Sequence, residues 1–266
     1  MRKHLSVYIM NNEKNNSIND HEFNLIGDFF KDLDRQGPCG EEETLRALDF
    51  CMPLPERARI ADLGCGTGGQ TIHLAQHTAA HITAIDLMPA FTESLRAQIA
   101  GTRLAERITV LDGSMDDLPF APESFDLIWS EGAIAHIGYE AGLRYWKKFL
   151  KPGGWVAVTE ATWFTEDRPD EIVEFWNESY PGIDTIPVKV RQMQAAGYLP
   201  VTHFVMPEQC WRDYFRPQEA LFEPFLERHG HSREARELVR FLKYEIGLYE
   251  RHREHYGYVF YIGQKQ

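Results

Sequence analysis

The chain has 266 residues, of which 43% are hydrophobic and 26% are charged. These proportions are typical of a globular protein and argue against the disordered, collagen-like and membrane-spanning classes. The 40 acidic residues outnumber the 28 lysines and arginines, which gives a formal net charge of −12. Because the basic residues form no long tract, the sequence predicts no nucleic-acid partner.

The four cysteines lie far apart in the sequence, at Cys39, Cys51, Cys65 and Cys210. They lack the short paired spacings of zinc sites and redox motifs, so we expect reduced thiols in a cytoplasmic protein. The apolar run at 5–10 is too short for a secretory signal or a membrane span. Either Met1 or Met10 fits as the biological start, and both a monomer and a homodimer remain open.

Two amphipathic helices are predicted before residue 55. Apolar residues recur at helical spacing over 23–33, and a break at 37–40 separates them from a second helix over 41–50. The acidic first turn of the second helix suits the positive end of the helix dipole. We therefore predict an N-terminal extension with helices over 1–54 and a main domain over 55–266.

Short apolar runs follow, separated mostly by segments of helix length. The runs occupy 60–63, 82–85, 108–111, 125–129 and 155–159, with helices expected near 68–78, 89–100 and 139–150. Apolar strands that alternate with helices indicate an α/β fold with a doubly wound, mostly parallel sheet. Beyond residue 160 we expect a helix over 185–196, a strand over 199–206, mainly helical structure over 208–255 and a last strand over 258–262.

A glycine-rich segment lies where the first strand turns into its helix, at 61–69. Glycines let the backbone approach a ligand closely, and Asp86, at the end of the second strand, is placed to bind both ribose hydroxyls. Gly64, Gly66 and Gly69 also satisfy the G-x-G-x-x-G pattern of nicotinamide enzymes. Asp62 favours S-adenosylmethionine over a dinucleotide, because it repels a pyrophosphate and attracts the ammonium group of the methyl donor.

The sequence resembles class I S-adenosylmethionine-dependent methyltransferases, particularly the small-molecule branch that includes quinone-ring methylating enzymes. The resemblance lies in 62–68, in Asp86, in 113–120 and in the turn at 150–154. It implies S-adenosylmethionine as cofactor, with contacts from Asp62, Gly64, Cys65, Gly66, Gly68, Asp86, Leu87, Ser114, Met115 and Ser130. Ser114 departs from the family, which usually has an acid there to meet the adenine amino group.

The resemblance also implies a seven-stranded sheet in which the last strand of the chain runs antiparallel between the fifth and sixth strands. The segments 162–184 and 208–255 then become insertions around the substrate entrance. Together with the N-terminal helices they are candidates for a lid over the acceptor. Several aromatic residues of these insertions, Trp163 and Trp211 among them, are candidates to enclose a flat or cationic acceptor.

Methyl transfer requires positioning of the acceptor rather than a covalent nucleophile. His136 and Glu131 follow the fourth strand and are the candidate catalytic residues, His136 to accept a proton and Glu131 to orient the acceptor. No cluster of oxygen ligands predicts a metal. The sequence therefore predicts methyl transfer to nitrogen, oxygen or carbon of a small molecule. A nicotinamide-dependent oxidoreductase and a non-catalytic S-adenosylmethionine-binding protein remain alternatives.

Overall fold

The computed structural model describes residues 20–266. Its first helices, α1 (Asp20–Phe30) and α2 (Glu41–Phe50), agree with the two predicted N-terminal helices, although α1 ends three residues before Leu33. The choice between Met1 and Met10 as the start lies outside the described residues.

The other helices flank a central sheet or follow its fifth strand. Their bounds are α3 (Gly69–His77), α4 (Pro89–Ile99), α5 (Tyr139–Trp146), α6 (Asp170–Ser179), α7 (Ile186–Ala195), α8 (Glu208–Arg228) and α9 (Arg233–His252). The helix expected near 139–150 is shorter than predicted. It ends at Trp146, and a turn of 3-10 helix over Lys147–Phe149 leads into the next strand.

The strands of the sheet are β1 (Arg59–Leu63), β2 (His81–Asp86), β3 (Ile108–Asp112), β4 (Phe125–Ser130), β5 (Leu150–Trp163), β6 (Asp184–Thr185), β7 (Tyr198–Val205) and β8 (Tyr256–Lys265). Their order is β3-β2-β1-β4-β5-β8-β7, and the short β6 pairs with β5. The strands β1 to β5 are parallel to one another, and β8 is antiparallel to both of its neighbours. The predicted doubly wound fold and the position of the last strand are confirmed.

β5 differs from the sequence prediction at both ends. The predicted turn at 150–154 lies inside the strand, where the pairing with β4 shifts from Phe125 with Leu150 to Leu127 with Trp155. At the other end β5 continues to Trp163, because its pairing with β8 extends to Tyr256. Backbone pairing of this kind leaves no periodic signal in the sequence of β5 alone.

The two faces of the sheet are covered by different helices, as alternating strand residues require. Ile60 and Leu127 pack toward α2, α3 and α4, whereas Ala61 and Ile128 pack toward α5 and α7. A third apolar cluster joins α1 to α6, α8 and α9 beside the end of β5. The N-terminal helices therefore share packing with the rest of the protein, and the division at residue 54 stays a prediction.

None of the helices in the part of the chain described, 20–266, combines the length and apolar character needed to cross a membrane.

Candidate cofactor and acceptor site

The loop between β1 and α3 has the backbone geometry of a close ligand approach. Gly64, Gly66 and Gly68 have φ values of 75°, 54° and 96°, in the left-handed region that favours glycine. A Cβ atom on Gly64 would overlap the side chain of Ala133, and one on Gly68 would overlap Leu95. Gly68 also directly precedes α3. The first backbone amides of a helix have no partner within the helix, so they can donate hydrogen bonds to a ligand.

Asp62 is fully buried at the end of β1. Its carboxylate accepts hydrogen bonds from the Thr71 hydroxyl at 2.5 Å and from the Gln70 amide at 3.2 Å. Burial raises the pKa of this carboxyl to about 7. A cation bound nearby would favour the ionised form. In the structure Asp62 holds the start of α3 against β1, and its attraction for an ammonium group stays a prediction.

Asp86 ties the glycine loop to the end of β2. Its two carboxylate oxygens accept hydrogen bonds from the backbone amides of Gly66 and Met88, each at 2.9 Å. Burial raises the pKa of Asp86, while these amide bonds oppose the shift. The neighbouring Leu87 is half exposed at the same edge. A carboxylate oxygen has a second lone pair, so Asp86 can still accept from a ligand hydroxyl.

The segment after β3 lies against the same loop. The Gly113 amide donates to the Asp86 carbonyl at 3.0 Å, and the methyl group of Met115 lies 3.1 Å from the position of a Cβ on Gly64. The Ser114 hydroxyl donates to the Asp116 carboxylate rather than pointing alone into solvent. An acid therefore does stand beside the position where the family places one, held there through Ser114.

Cys65 and Ser130 are buried within this edge of the sheet. The Ser130 hydroxyl donates to the Leu63 carbonyl at 2.7 Å, and the Cys65 thiol donates to the Gly66 carbonyl at 3.5 Å. Burial raises the pKa of the Cys65 thiol well above its usual value. Both side chains are committed to the backbone, so the cofactor contacts expected of them would come through main-chain atoms.

Glu131 is engaged by the N-terminal part of the chain. One carboxylate oxygen accepts from Arg35 at 2.5 Å, and the other accepts from the Thr44 hydroxyl and from the Trp129 indole, both at 2.8 Å. The carboxylate thus has three donors within the protein. In the structure Glu131 fastens residues 35–44 to the end of β4. The role of Glu131 in orienting an acceptor stays a prediction.

The segment 33–36 lies directly on the glycine loop, which the sequence did not indicate. Gln36 accepts a hydrogen bond from the Thr67 amide at 2.9 Å, and the Thr67 hydroxyl donates to the Leu33 carbonyl at 2.7 Å. Arg35 brings a cation between Glu131 and the neighbourhood of Asp62. No sequence signal could have identified these contacts, because Gln36 and Leu33 lie 31 and 34 residues from Thr67.

His136 lies in the 3-10 turn Ile134–Ile137 after β4. Its Nδ1 atom is buried and has no hydrogen-bond partner among residues 20–266. Burial lowers the pKa of the imidazole to about 4. The sequence expectation assumed an ordinary pKa near neutrality, so the structure makes His136 a neutral and weak base.

A buried ion pair fixes the first insertion to the sheet. Lys189 in α7 donates to Glu160 of β5 at 2.5 Å, and the Tyr180 hydroxyl donates to the same carboxylate oxygen. Lys189 also donates to the Gly182 carbonyl at 2.8 Å. These contacts place the segment 170–184 beside the carboxyl end of β5, next to the end of β4.

The region that holds these features matches a known family. Residues 60–154 match the family model described as "Methyltransferase domain". This part of the chain is therefore similar to a methyltransferase domain. The match agrees with the methyltransferase interpretation of the glycine loop and does not support the nicotinamide alternative.

A curated protein similar to part of this chain is the dimethylglycine N-methyltransferase of Parasynechococcus marenigrum. It is 36% identical over 121 residues, which are 45% of this chain and 43% of that protein. The chain spans less than half the length of the first curated relatives it matches.

Solved structures resemble nearly the whole chain at low sequence identity. A methyltransferase of Geobacter sulfurreducens in complex with S-adenosylhomocysteine has a TM-score of 0.79, at 19% identity over 91% of this chain and 98% of that one. The [4+2]-cyclase SpnF has a TM-score of 0.73, at 18% identity over 92% of this chain and 94% of that one. These likenesses show the fold, which the cyclase shares with methyltransferases.

No group of three or more histidine, cysteine, aspartate or glutamate side chains within the described range 20–266 is arranged to hold a metal ion.

Proposed function

We propose that the protein transfers a methyl group from S-adenosylmethionine to a nitrogen, oxygen or carbon atom of a small molecule. The observation that carries the proposal is the glycine loop held on Asp86 through the Gly66 amide, inside the region that matches a methyltransferase domain. Three segments of the family pattern, the loop at 64–68, Asp86 and the segment that begins at Gly113, meet at one sheet edge, whereas the turn at 150–154 lies at the opposite edge, where β5 begins beside Phe125. Ligands of such sheets bind at the carboxyl ends of the strands.

The cofactor would lie across the ends of β1, β2 and β4. The ribose would meet Asp86 and Leu87, the adenine would meet Ser114 and Met115, and the amino-acid part would pass the loop at 64–68 toward Asp62. The positive φ angles of Gly64 and Gly66 support this placement, because they form the tight turn that lets the backbone of the loop approach a ligand at the strand ends.

The reaction is an in-line displacement at the methyl carbon. A lone pair of the acceptor forms the new bond while the carbon–sulfur bond breaks, and the sulfur keeps the bonding pair as S-adenosylhomocysteine. An acceptor that carries a proton loses it to solvent or to a base, for which His136 is the candidate. The protein's main contribution is to position the acceptor and exclude water.

Nitrogen is the favoured acceptor atom, because the P. marenigrum relative is named for N-methylation of dimethylglycine. The proposal also includes a cytoplasmic location, which the four free cysteines support. Either a monomer or a homodimer is compatible with it, and it includes no nucleic-acid or membrane partner.

The test combines binding with turnover. Calorimetry should detect binding of S-adenosylmethionine at one site per chain and no comparable binding of NAD. Incubation of amines, phenols, quinones and thiols with methyl-labelled cofactor should then release S-adenosylhomocysteine with at least one class. Binding of NAD alone would favour an oxidoreductase, and cofactor binding without turnover on any class would favour a non-catalytic binding protein.

A further inference from the structure

Glu245 occupies an unusual position on α9. The buried face of this helix includes Leu238, Leu242, Ile246 and Tyr249, at the spacing of an amphipathic helix. Glu245 lies on the same face, seven residues after Leu238 and one turn before Tyr249. It is nevertheless partly accessible rather than buried. The Glu245 side chain therefore lies on the inward face of α9 without being fully enclosed by the apolar residues around it.

The carboxylate of Glu245 has no hydrogen bond or ion pair with any residue of the described range 20–266. Burial raises its pKa to about 7, with no compensating partner. An isolated carboxylate in an apolar environment is costly, and a buried charge is normally paired or coordinated. A cation bound beside Glu245 would supply the missing partner and favour the ionised carboxylate.

Tyrosines surround this carboxylate. Besides burial, the charge of Glu245 raises the pKa of Tyr214 on α8, and the charges of Glu160 and Glu245 raise the pKa of Tyr258 on β8. Neither hydroxyl donates to Glu245 in the structure. The three side chains therefore lie near one another, and both tyrosines remain partly accessible although they pack against the buried apolar cluster.

A second acceptor atom without a donor lies one helical turn from Tyr214 on α8. Gln218 is fully buried, and its Nε2 atom donates to the Tyr214 carbonyl at 3.0 Å. Its Oε1 atom is buried and has no partner within the described part of the chain. Unpaired acceptors together with aromatic rings are the surroundings that an ammonium group requires.

Tyr258 reaches the sheet edge where the methyl group would be transferred. The Tyr258 ring lies 3.7 Å from the position of a Cβ on Gly132, and Gly132 follows Glu131 at the end of β4. Trp211 packs on the other side of Tyr258, with ring centroids 5.3 Å apart. One aromatic side chain thus separates the end of β4 from the surroundings of Glu245.

We propose that Glu245, Tyr214, Tyr258 and Gln218 form the binding site for a cationic group of the methyl acceptor. The cation would lie between the Glu245 carboxylate and the tyrosine rings, and the nucleophilic atom of the same molecule would reach the edge at Gly132. The acceptor is then a small molecule with two functional groups, of which one is an ammonium or guanidinium. This inference rests on the proposed methyl transfer for the identity of the ligand as acceptor.

The test uses the full chain saturated with S-adenosylhomocysteine at pH 8. Butylammonium and butan-1-ol serve as probes of equal length that differ in charge, and their affinities are measured by ligand-observed NMR titration. We expect the wild type to bind butylammonium at least about tenfold more tightly than butan-1-ol, and Glu245→Gln to abolish this preference. Glu250→Gln, an exposed site on the same helix, is the matched control and should keep the preference.

Glu245→Asp provides a second variant, which keeps the charge and should retain a weaker preference for the cation. An unchanged preference in Glu245→Gln, or no preference in the wild type, would overturn the assignment. The affinity for S-adenosylhomocysteine should be the same in all variants, because Glu245 is separated from the cofactor edge. Absence of cofactor binding or of methyl transfer in the wild type would instead contradict the proposed function, while the charge preference would remain measurable without cofactor.

Discussion

The carboxylate of Asp86 connects two parts of the candidate site, since it accepts from the amides of Gly66 and Met88. We expect Asp86→Ala to weaken cofactor binding by about 1.5–3 kcal/mol, the scale of lost hydrogen bonds to a charged group. Calorimetry with S-adenosylhomocysteine measures this loss. Glu93→Ala, at an exposed position on α4, is the control and should bind normally. Unchanged affinity in Asp86→Ala would remove this residue from the site.

The buried imidazole of His136 leads to a prediction about pH. Because burial lowers its pKa to about 4, the ring is neutral and able to accept a proton at every pH above that value. If His136 is the base, His136→Ala lowers turnover by about 10²–10⁴, and the wild-type kcat/KM stays level down through pH 6.5 before falling near pH 4. Steady-state rates from pH 4 to 8 measure both effects.

The control for this variant is His81→Ala, at the exposed amino end of β2, on the opposite edge of the sheet. It should leave turnover unchanged. A His136→Ala protein that keeps more than about a third of wild-type turnover would show that proton transfer by this residue contributes little to the rate. Positioning of the acceptor would then account for the catalysis.

At the residue level, the sequence located backbone features better than side-chain partners. The positions of Gly64, Gly66 and Asp86 were predictable, because a close backbone approach and a strand end leave a local pattern. The partners of Glu131 were not, because Arg35 and Thr44 are 96 and 87 residues away. The sequence did contain a signal for Glu245, because this residue is charged and lies at an apolar position of a predicted helix.

At the level of elements, the sheet strands and their helices were predicted to within a few residues, because apolar runs and helical spacing are local properties. Two predicted helices, α1 and α5, are shorter than expected, and the strand errors occur where pairing extends an element. β5 reaches Trp163 through its ladder with β8, and β6 exists only as a two-residue partner of β5. The position of the last strand, β8, between β5 and β7 followed from the family resemblance and not from the residues of β8 themselves.

The insertions give a prediction at this scale. α6, α8 and α9 pack with α1 in one apolar cluster that is separate from the two faces of the sheet. We expect amide hydrogen exchange in 162–184 and 208–255 to slow when S-adenosylhomocysteine and an acceptor bind, since closing a cover reduces its local opening. The edge strand β7 serves as the internal reference. Slowing confined to 62–70 and 112–116 would exclude these segments from acceptor recognition.

For the whole molecule, charge determines the expected partners. The formal net charge is −12, and the short basic runs are already engaged within the protein. Lys151 pairs with Asp126 at 2.8 Å, Arg251 pairs with Glu171 at 2.6 Å, and the Lys148 ammonium lies 4.2 Å from the centre of the Tyr145 ring. Few cations therefore remain grouped to replace the counterions of a phosphate backbone.

We accordingly expect no binding of duplex DNA or single-stranded RNA at micromolar protein and physiological salt. Fluorescence anisotropy with labelled oligonucleotides measures the affinity at 50 and 200 mM salt. The two concentrations identify phosphate contacts, because a protein with six or more of them loses about 10³ or more in affinity over that range. Submicromolar binding with such a steep salt dependence would contradict the prediction.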